Sequence, residues 1–321
     1  MQIKTELARS IDRTKEEIAY DESVKRILST KHLLAWIMKG CVAEYKNYCV
    51  EYIVDNYIEG DPGVSKTPVH RGDVIQGLDT ADKDISEHTT LYDVLFYATL
   101  PDSDEKIGLF INIEAQNKFN PGYPLIKRGI YYCSRLISSQ FEKDFADGHY
   151  ENLKKVYSIW ICANAPDSRN NTVTQYELTE KYLLGEAKEE RINYDLLSVI
   201  MICFNDKNLD INGNNESDSD SADLVRLLNI LLSSKIGSND KKQILLSEYN
   251  IPMTRELESE VLVMCNLSSG IKEQGAFDKA KKVSIELMKM GISAENIIRA
   301  TELSMDQLKQ IADDNNLEIV K

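Results

Sequence analysis

The sequence has no apolar run long enough to cross a bilayer. Its longest, Leu196 to Phe204, is nine residues with a serine inside it, against the roughly 20 that a spanning helix needs. A buried strand is the better reading, and no membrane partner is expected. The opening run MQIKTELARSIDRTKEEIAY is polar throughout and lacks the apolar segment of an export signal. Closely spaced cysteine pairs are missing too. Cys41, Cys49, Cys133, Cys162, Cys203 and Cys265 include no CxxC, which excludes a zinc knuckle or a dithiol redox motif. Most sit in apolar runs, where a reduced thiol behaves as a small hydrophobe. A reduced, cytoplasmic chain is the consistent expectation. Basic charge is scarce as well: Lys and Arg number 38 against 52 Asp and Glu, for a net charge of -14. That excludes a broad phosphate-binding surface. Much of the acid lies at the two ends and in one loop, so a basic surface would have to be local.

What is present is enough apolar residue, 42% of 321, to bury a core. Ser23 to Tyr57 reads as a long helix or helix pair, with Leu33, Leu34, Ile37, Met38, Cys41, Val42 and Tyr45 at helical spacing. Glu59 to Gly63 is a Gly/Pro loop. Two strand-like runs follow, Leu91 to Thr99 and Ile107 to Gln116, joined by a hairpin connection at Pro101–Lys106. A helix is predicted from about Pro124 to Phe145, its apolar stripe formed by Ile126, Ile130, Cys133, Ile137 and Phe141. Val156 to Ala163 and Leu196 to Phe204 are further buried strands, with a turn at Asn164–Asp167 after the first. Asn205 to Ser221 is polar, acidic and of low complexity, a solvated loop or linker. The remainder is helical: Asp223 to Leu232, Arg255 to Leu267, a helix ending at Gly291, and two short helices capped by Ser293 and Ser304. The order helix, two strands, helix, strand is a mixed α/β pattern. The expected organisation is a core over 1–204, an acidic loop over 205–222 and a helical region over 223–321.

One strand carries an anomaly. Asn112, Glu114 and Gln116 share a face by alternation, on a strand that should be apolar on both faces if it is central. A buried carboxylate without a partner is costly, and a divalent cation would remove the cost. Asp93, inside an otherwise apolar and aromatic strand, supplies a second carboxylate. If the two strands form an antiparallel hairpin, Asp93 and Glu114 can fall side by side. Two carboxylates, a backbone carbonyl and waters make a magnesium site of the hard-oxygen type. Such an ion can acidify a bound water and polarise a phosphate. The plain alternative is that Asp93 caps a turn and Glu114 ends an edge strand. The following helix carries Arg128, Tyr131, Tyr132, Arg135 and Ser139 opposite its apolar stripe. With Lys118 and Lys127 these form a basic cluster interleaved with tyrosines, suited to gripping phosphate. A merely solvated face is the alternative there.

The run IEAQNKFNPGYPLIKRGIYYCSRLISSQ, preceded by LYDVLFYA, closely resembles the PD-(D/E)XK nuclease-family transposases, the recombination-promoting nucleases. YDESVKRILSTKHLLAWIMKGCVAEYK is similar to that family's N-terminal helix, VYSIWICANAP to its next core strand, and IPMTRELESEVLVMCNLSSGI with LMKMGISAENIIRATELSMDQLKQI to its helical tail. The resemblance implies a restriction-endonuclease-like mixed sheet flanked by helices, with a helical C-terminal tail. It makes Asp93 and Glu114 the metal-binding pair and Gln116 the third member of the catalytic set. Gln116 stands where the wider superfamily has lysine, and this family itself often has glutamine there. Glu44 matches the helix glutamate that completes the metal shell in many superfamily members; it is otherwise an ordinary exposed helix residue. Tyr123, Arg128 and Tyr132 match recurrent positions.

The implied function is an endonuclease hydrolysing DNA with Mg2+, or Mn2+ in its place, of a kind tied to recombination and transposition. A homodimer would suit cleavage of both strands. The competing reading is a weak or inactive binding module on the same fold, favoured by the net charge and by Gln116, which can hydrogen-bond but carries no charge. A helix-turn-helix role for Gly291 to Ile311 is discounted. Glu295, Glu302, Asp306, Asp313 and Asp314 would face phosphates with little offset from Arg299 and Lys309.

Overall fold

The computed structural model describes residues 15–58, 63–64, 81–82, 90–91, 93–99, 101, 108–116, 119–141, 148–208 and 219–320. The Pro101–Lys106 connection beyond Pro101, residues 59–62, Lys118 and residues 209–218 of the acidic loop lie outside these. The N-terminal segment is not one helix or a simple pair. It breaks into α1 (Lys15–Leu28), α2 (Lys31–Cys41), a 3-10 turn at Ala43–Tyr45 and α3 (Val50–Asn56).

The strands are β1 (Gly63–Val64), β2 (Ala81–Asp82), β3 (Thr90–Leu91), β4 (Val94–Thr99), β5 (Gly108–Gln116), β6 (Val156–Cys162), β7 (Thr172–Glu177) and β8 (Leu197–Cys203). Six of them form one mixed sheet in the order β1-β4-β5-β6-β8-β7, while β2 and β3 pair with each other. β4 and β5 are antiparallel, as the hairpin reading required, and β5, β6 and β8 run parallel. All seven residues of β6 are buried, which marks a central strand covered on both faces. Along it, Tyr157, Ile159 and Ile161 take one face and Ser158, Trp160 and Cys162 the other. β7 pairs antiparallel with β8 at the edge. It was not legible beforehand, because TVTQYE has no apolar alternation and its side chains are half-buried or exposed.

Helix α4 (Leu125–Ser138) packs on the Trp160 face. Its buried residues are Leu125, Gly129, Tyr132, Cys133 and Leu136. The expected stripe is therefore rotated: Ile130 and Phe141 are exposed, at 44% and 51%, and Tyr132 is buried at 5%. Gly129 explains the rotation. A Cβ there would stand 2.5 Å from Val199 Cγ1 and 3.0 Å from Trp160 Nε1, so the helix comes too close to the sheet for any other residue. A glycine is invisible to a count of apolar positions, yet it marks the closest approach.

After α5 (Arg191–Tyr194), helices α6 (Asp220–Leu232) and α7 (Ser238–Ser247) follow, then α8 (Arg255–Lys289), which runs far beyond the Leu267 expected. α6 meets α2 at another close approach, where a Cβ on Gly40 would lie 2.7 Å from Leu224 Cβ. The molecule divides into two compact units. One is Asp21–Leu262, which holds the sheet; the other comprises Val263–Lys321 and the N-terminal residues to Tyr20. The second has its own core of Met288, Ala294, Ile297, Leu303, Leu308 and Ile311, gathered from the end of α8, α9 (Ala294–Thr301) and α10 (Met305–Asn315). Ser304 caps α10 through a reciprocal capping box with Gln307. Ser293 precedes α9 without a side-chain cap bond. Among the described residues, no helix is long and apolar enough to cross a membrane.

Candidate active site

The β4–β5 ladder pairs Val94 with Ile113 and Leu95 with Asn112. Continued by one step, the antiparallel register sets Asp93 opposite Glu114. On its other side Glu114 stands in register with Trp160 of β6, and Gln116 with Cys162. The observed pairs end at Val94 and Ile113, and Asp93 and Glu114 are the next residue on each strand.

Asp93 immediately precedes β4, and its side chain is 17% exposed. Its Oδ1 accepts a bond from Lys25 Nζ of α1 at 2.8 Å, and the same ammonium lies 3.0 Å from Asp21 Oδ2, one turn earlier on the helix. Burial alone would lower the Lys25 pKa; the charges of Asp93 and Asp21 outweigh it and hold the ammonium above the ordinary lysine range. Another side of α1 is tied down beside Lys25: Ser23 Oγ donates to Glu260 at 2.7 Å, and Arg26 Nε pairs with Glu260 at 2.7 Å.

Glu44 lies elsewhere. It sits in the 3-10 turn after α2, and both of its oxygens are engaged. Lys155 Nζ donates to Oε1 at 3.2 Å and Tyr157 OH donates to Oε2 at 2.6 Å. Lys155 also donates to Asp195 at 2.7 Å, and Arg191 Nε reaches the same Asp195 oxygen at 3.0 Å. Burial, reinforced by Glu44, pushes the Tyr157 hydroxyl far above the usual phenol range, so it stays a donor. Tyr157 stands in register with Ile111, three steps along the ladder from the Glu114–Trp160 step. Three residues of strand span about 10 Å. Glu44 is thus the acceptor of a buried network rather than the exposed helix residue of the plain reading.

The basic face of α4 is only partly a face. Lys127 is exposed, and Tyr131 is 48% exposed. Arg128 folds inward. Its Nε donates to Tyr132 OH at 2.9 Å, Nη2 makes a second bond to the same oxygen, and Nη1 donates to Tyr123 OH at 3.2 Å. The guanidinium lies 5.0 Å from the Tyr132 ring centre and 5.5 Å from that of Trp160. Tyr132 itself belongs to the core beneath the helix. Placing Tyr132 on an exposed nucleic-acid-binding face is corrected: counting it as polar hid that its ring is the largest buried group of α4. Arg135 is half-buried. Sequence reasoning also passed over Lys25, Asp21, Lys155 and Asp195. Asp21 and Lys25 do carry a local signal, an acid–base pair four apart on one helix.

A mixed sheet whose antiparallel β4–β5 pair leads into parallel strands, with helices on it, is a restriction-endonuclease-like α/β core. A family model described as PD-(D/E)XK nuclease family transposase matches residues 86–261, more than half of the chain, and the chain belongs to that family. The match ends one residue before the larger compact unit does. No curated protein and no solved structure matches the chain.

Proposed function

We propose that this protein is a metal-dependent endonuclease that hydrolyses DNA phosphodiester bonds, with Asp93 and Glu114 as its paired carboxylates. The observation that supports the reading is the β4–β5 register, which pairs Val94 with Ile113 and, extended by one residue on each strand, would bring Asp93 and Glu114 opposite one another. The donor chemistry fits a hard divalent cation, Mg2+ first and Mn2+ as its substitute. Asp93 already faces a cation, the Lys25 ammonium at 2.8 Å. Among the described residues no set of three or more His, Cys, Asp or Glu stands ready to hold a metal. The ion would rest on Asp93 and Glu114, with backbone carbonyl and water completing the shell. When bound, it supplies charge neutralisation at the phosphate and acidifies water.

The net reaction is balanced by water alone. The water oxygen forms a new bond to phosphorus, one bridging P–O bond breaks, and the proton passes to the leaving alkoxide. Gln116, two residues beyond Glu114, contributes a hydrogen bond to water or phosphate. Lys127 and the exposed edge of Tyr131 meet the nucleic acid backbone. Arg128 acts by fixing α4 against Trp160. Glu44, with both oxygens occupied, acts by setting the Lys155 network. A reducing, cytoplasmic setting suits the six free cysteines. A homodimer would bring two such sites to the two strands of a duplex.

The test is cleavage of supercoiled plasmid by the purified full chain. Nicked and linear products with Mg2+ or Mn2+, suppressed by EDTA, are expected. A folded chain that cuts neither DNA nor RNA under any of these conditions overturns the reading. It would leave the alternative that Gln116 favours, a binding module on the nuclease fold.

A further inference from the structure

We propose that Lys25, delivered by the N-terminal helix rather than by the strand, supplies the cation of the nuclease site that Gln116 cannot. The inference rests on the nuclease reading above and extends it to a residue outside the family match, which begins at residue 86.

A phosphoryl centre accumulates negative charge as it reacts, and fixed cations around it are among the larger sources of rate. Gln116 offers hydrogen bonds and no charge. The α4 cations fill the gap poorly. Arg128 is bound to Tyr132 and Tyr123 and spread over two aromatic rings. Lys127 is exposed, on the outward side of its helix. Lys25 differs in three ways. Its ammonium is 2.8 Å from Asp93, the residue next to Val94, whose ladder partner Ile113 adjoins Glu114. It is 16% exposed, so its charge works in a medium less screened than the surface. Its backbone is fixed on both sides by the Ser23 and Arg26 bonds to Glu260.

The geometry also gives the ammonium somewhere to go. Held between Asp93 and Asp21, it balances Asp93 while no metal is bound. A divalent ion on Asp93 competes with it, and Lys25 then keeps Asp21 as its anchor and turns its charge toward the phosphate. Asp21 is thus a positioning residue, and Lys25 is the group that meets the substrate.

The experiment joins cleavage with metal binding in the full chain. Lys25→Met is expected to lower kcat about 100-fold with KM for plasmid little changed. Adding Gln116→Lys to Lys25→Met should recover at least about tenfold of that loss, since a strand lysine restores the charge. Lys25→Arg, which keeps the charge, should retain fold and most activity, and it carries the test if Lys25→Met does not fold. Calorimetric titration of Mn2+ without DNA is the readout independent of turnover. Lys25→Met should bind Mn2+ about fivefold more tightly, because a competing cation worth roughly 1 kcal/mol has gone. Wild-type rates in Lys25→Met overturn the proposal. So does a loss that Gln116→Lys does not rescue, with Mn2+ affinity unmoved, which would make Lys25 a structural residue. A wild type that cuts nothing sinks the nuclease reading alone, and the Mn2+ titration still decides whether Lys25 competes for Asp93.

Discussion

The larger unit contains two lysines that each bridge two carboxylates, Lys25 between Asp93 and Asp21 and Lys155 between Glu44 and Asp195. The distances are alike and both ammonium groups are mostly buried, yet the surroundings differ. The Lys155 cluster brings a second cation, Arg191, and a phenol donor, Tyr157, and its Asp195 is only 7% exposed. In the Lys25 cluster only Asp93, one residue before β4, falls inside the region that matches the nuclease family, whereas Lys155, Tyr157, Arg191 and Asp195 all do. Under the proposed function, the Lys155 cluster is a structural network and the Lys25 cluster stands at the metal-binding carboxylates.

The comparison can be broken most sharply at the carboxylates. Asp93→Ala or Glu114→Ala should cut Mg2+-dependent plasmid cleavage by more than about 100-fold, since each removes a hard ligand from a site with few. Glu44→Gln should cost less than about tenfold, because it loses one charge from a network and no metal ligand. Equal losses in all three, measured as initial rates on folded protein, would erase the distinction. Stability should show the reverse order. Lys155→Met leaves Asp195, 7% exposed, and the half-buried Glu44 without their shared cation, a loss of about 3 kcal/mol and roughly 10 °C in Tm. Lys25→Met should shift Tm by no more than about 3 °C in EDTA, as neither Asp21 nor Asp93 is as buried as Asp195. A calorimetric scan that ranks the two the other way would contradict the assignment.

Part of this was legible in sequence, and the reasons are physical. Alternation on Asn112, Glu114 and Gln116 exposed the odd strand, and the antiparallel hairpin expected of its partner is the pairing observed between β4 and β5. The rotation of α4 was hidden because Gly129 and Tyr132 do not count as apolar. β7 was hidden because an edge strand with half-wet side chains has no period to read. The Lys25–Asp93 pair was hidden for another reason. Its partners come from a helix and a strand far apart in the chain, and only the fold brings them to 2.8 Å.

Two smaller effects sharpen the picture. Lys127→Ala should weaken DNA binding modestly and reduce the slope of log affinity against log salt by about 1, as for one lost phosphate contact. An unchanged slope in fluorescence anisotropy across a salt series would remove Lys127 from the interface. Arg191→Ala, at 62% exposure, should lower stability by no more than about 1 kcal/mol, measured by urea denaturation. A larger loss would mean that the Lys155 network depends on its second cation.

The central claim, that Asp93 and Glu114 share one metal ion, is tested most directly by a double-mutant cycle on Mn2+ affinity. Wild type, Asp93→Asn, Glu114→Gln and the double variant would be titrated by calorimetry without DNA. With a shared ion, either single change should abolish tight binding, and the double should be no weaker than the singles. Independent, additive losses, or tight binding that survives both changes, would contradict it.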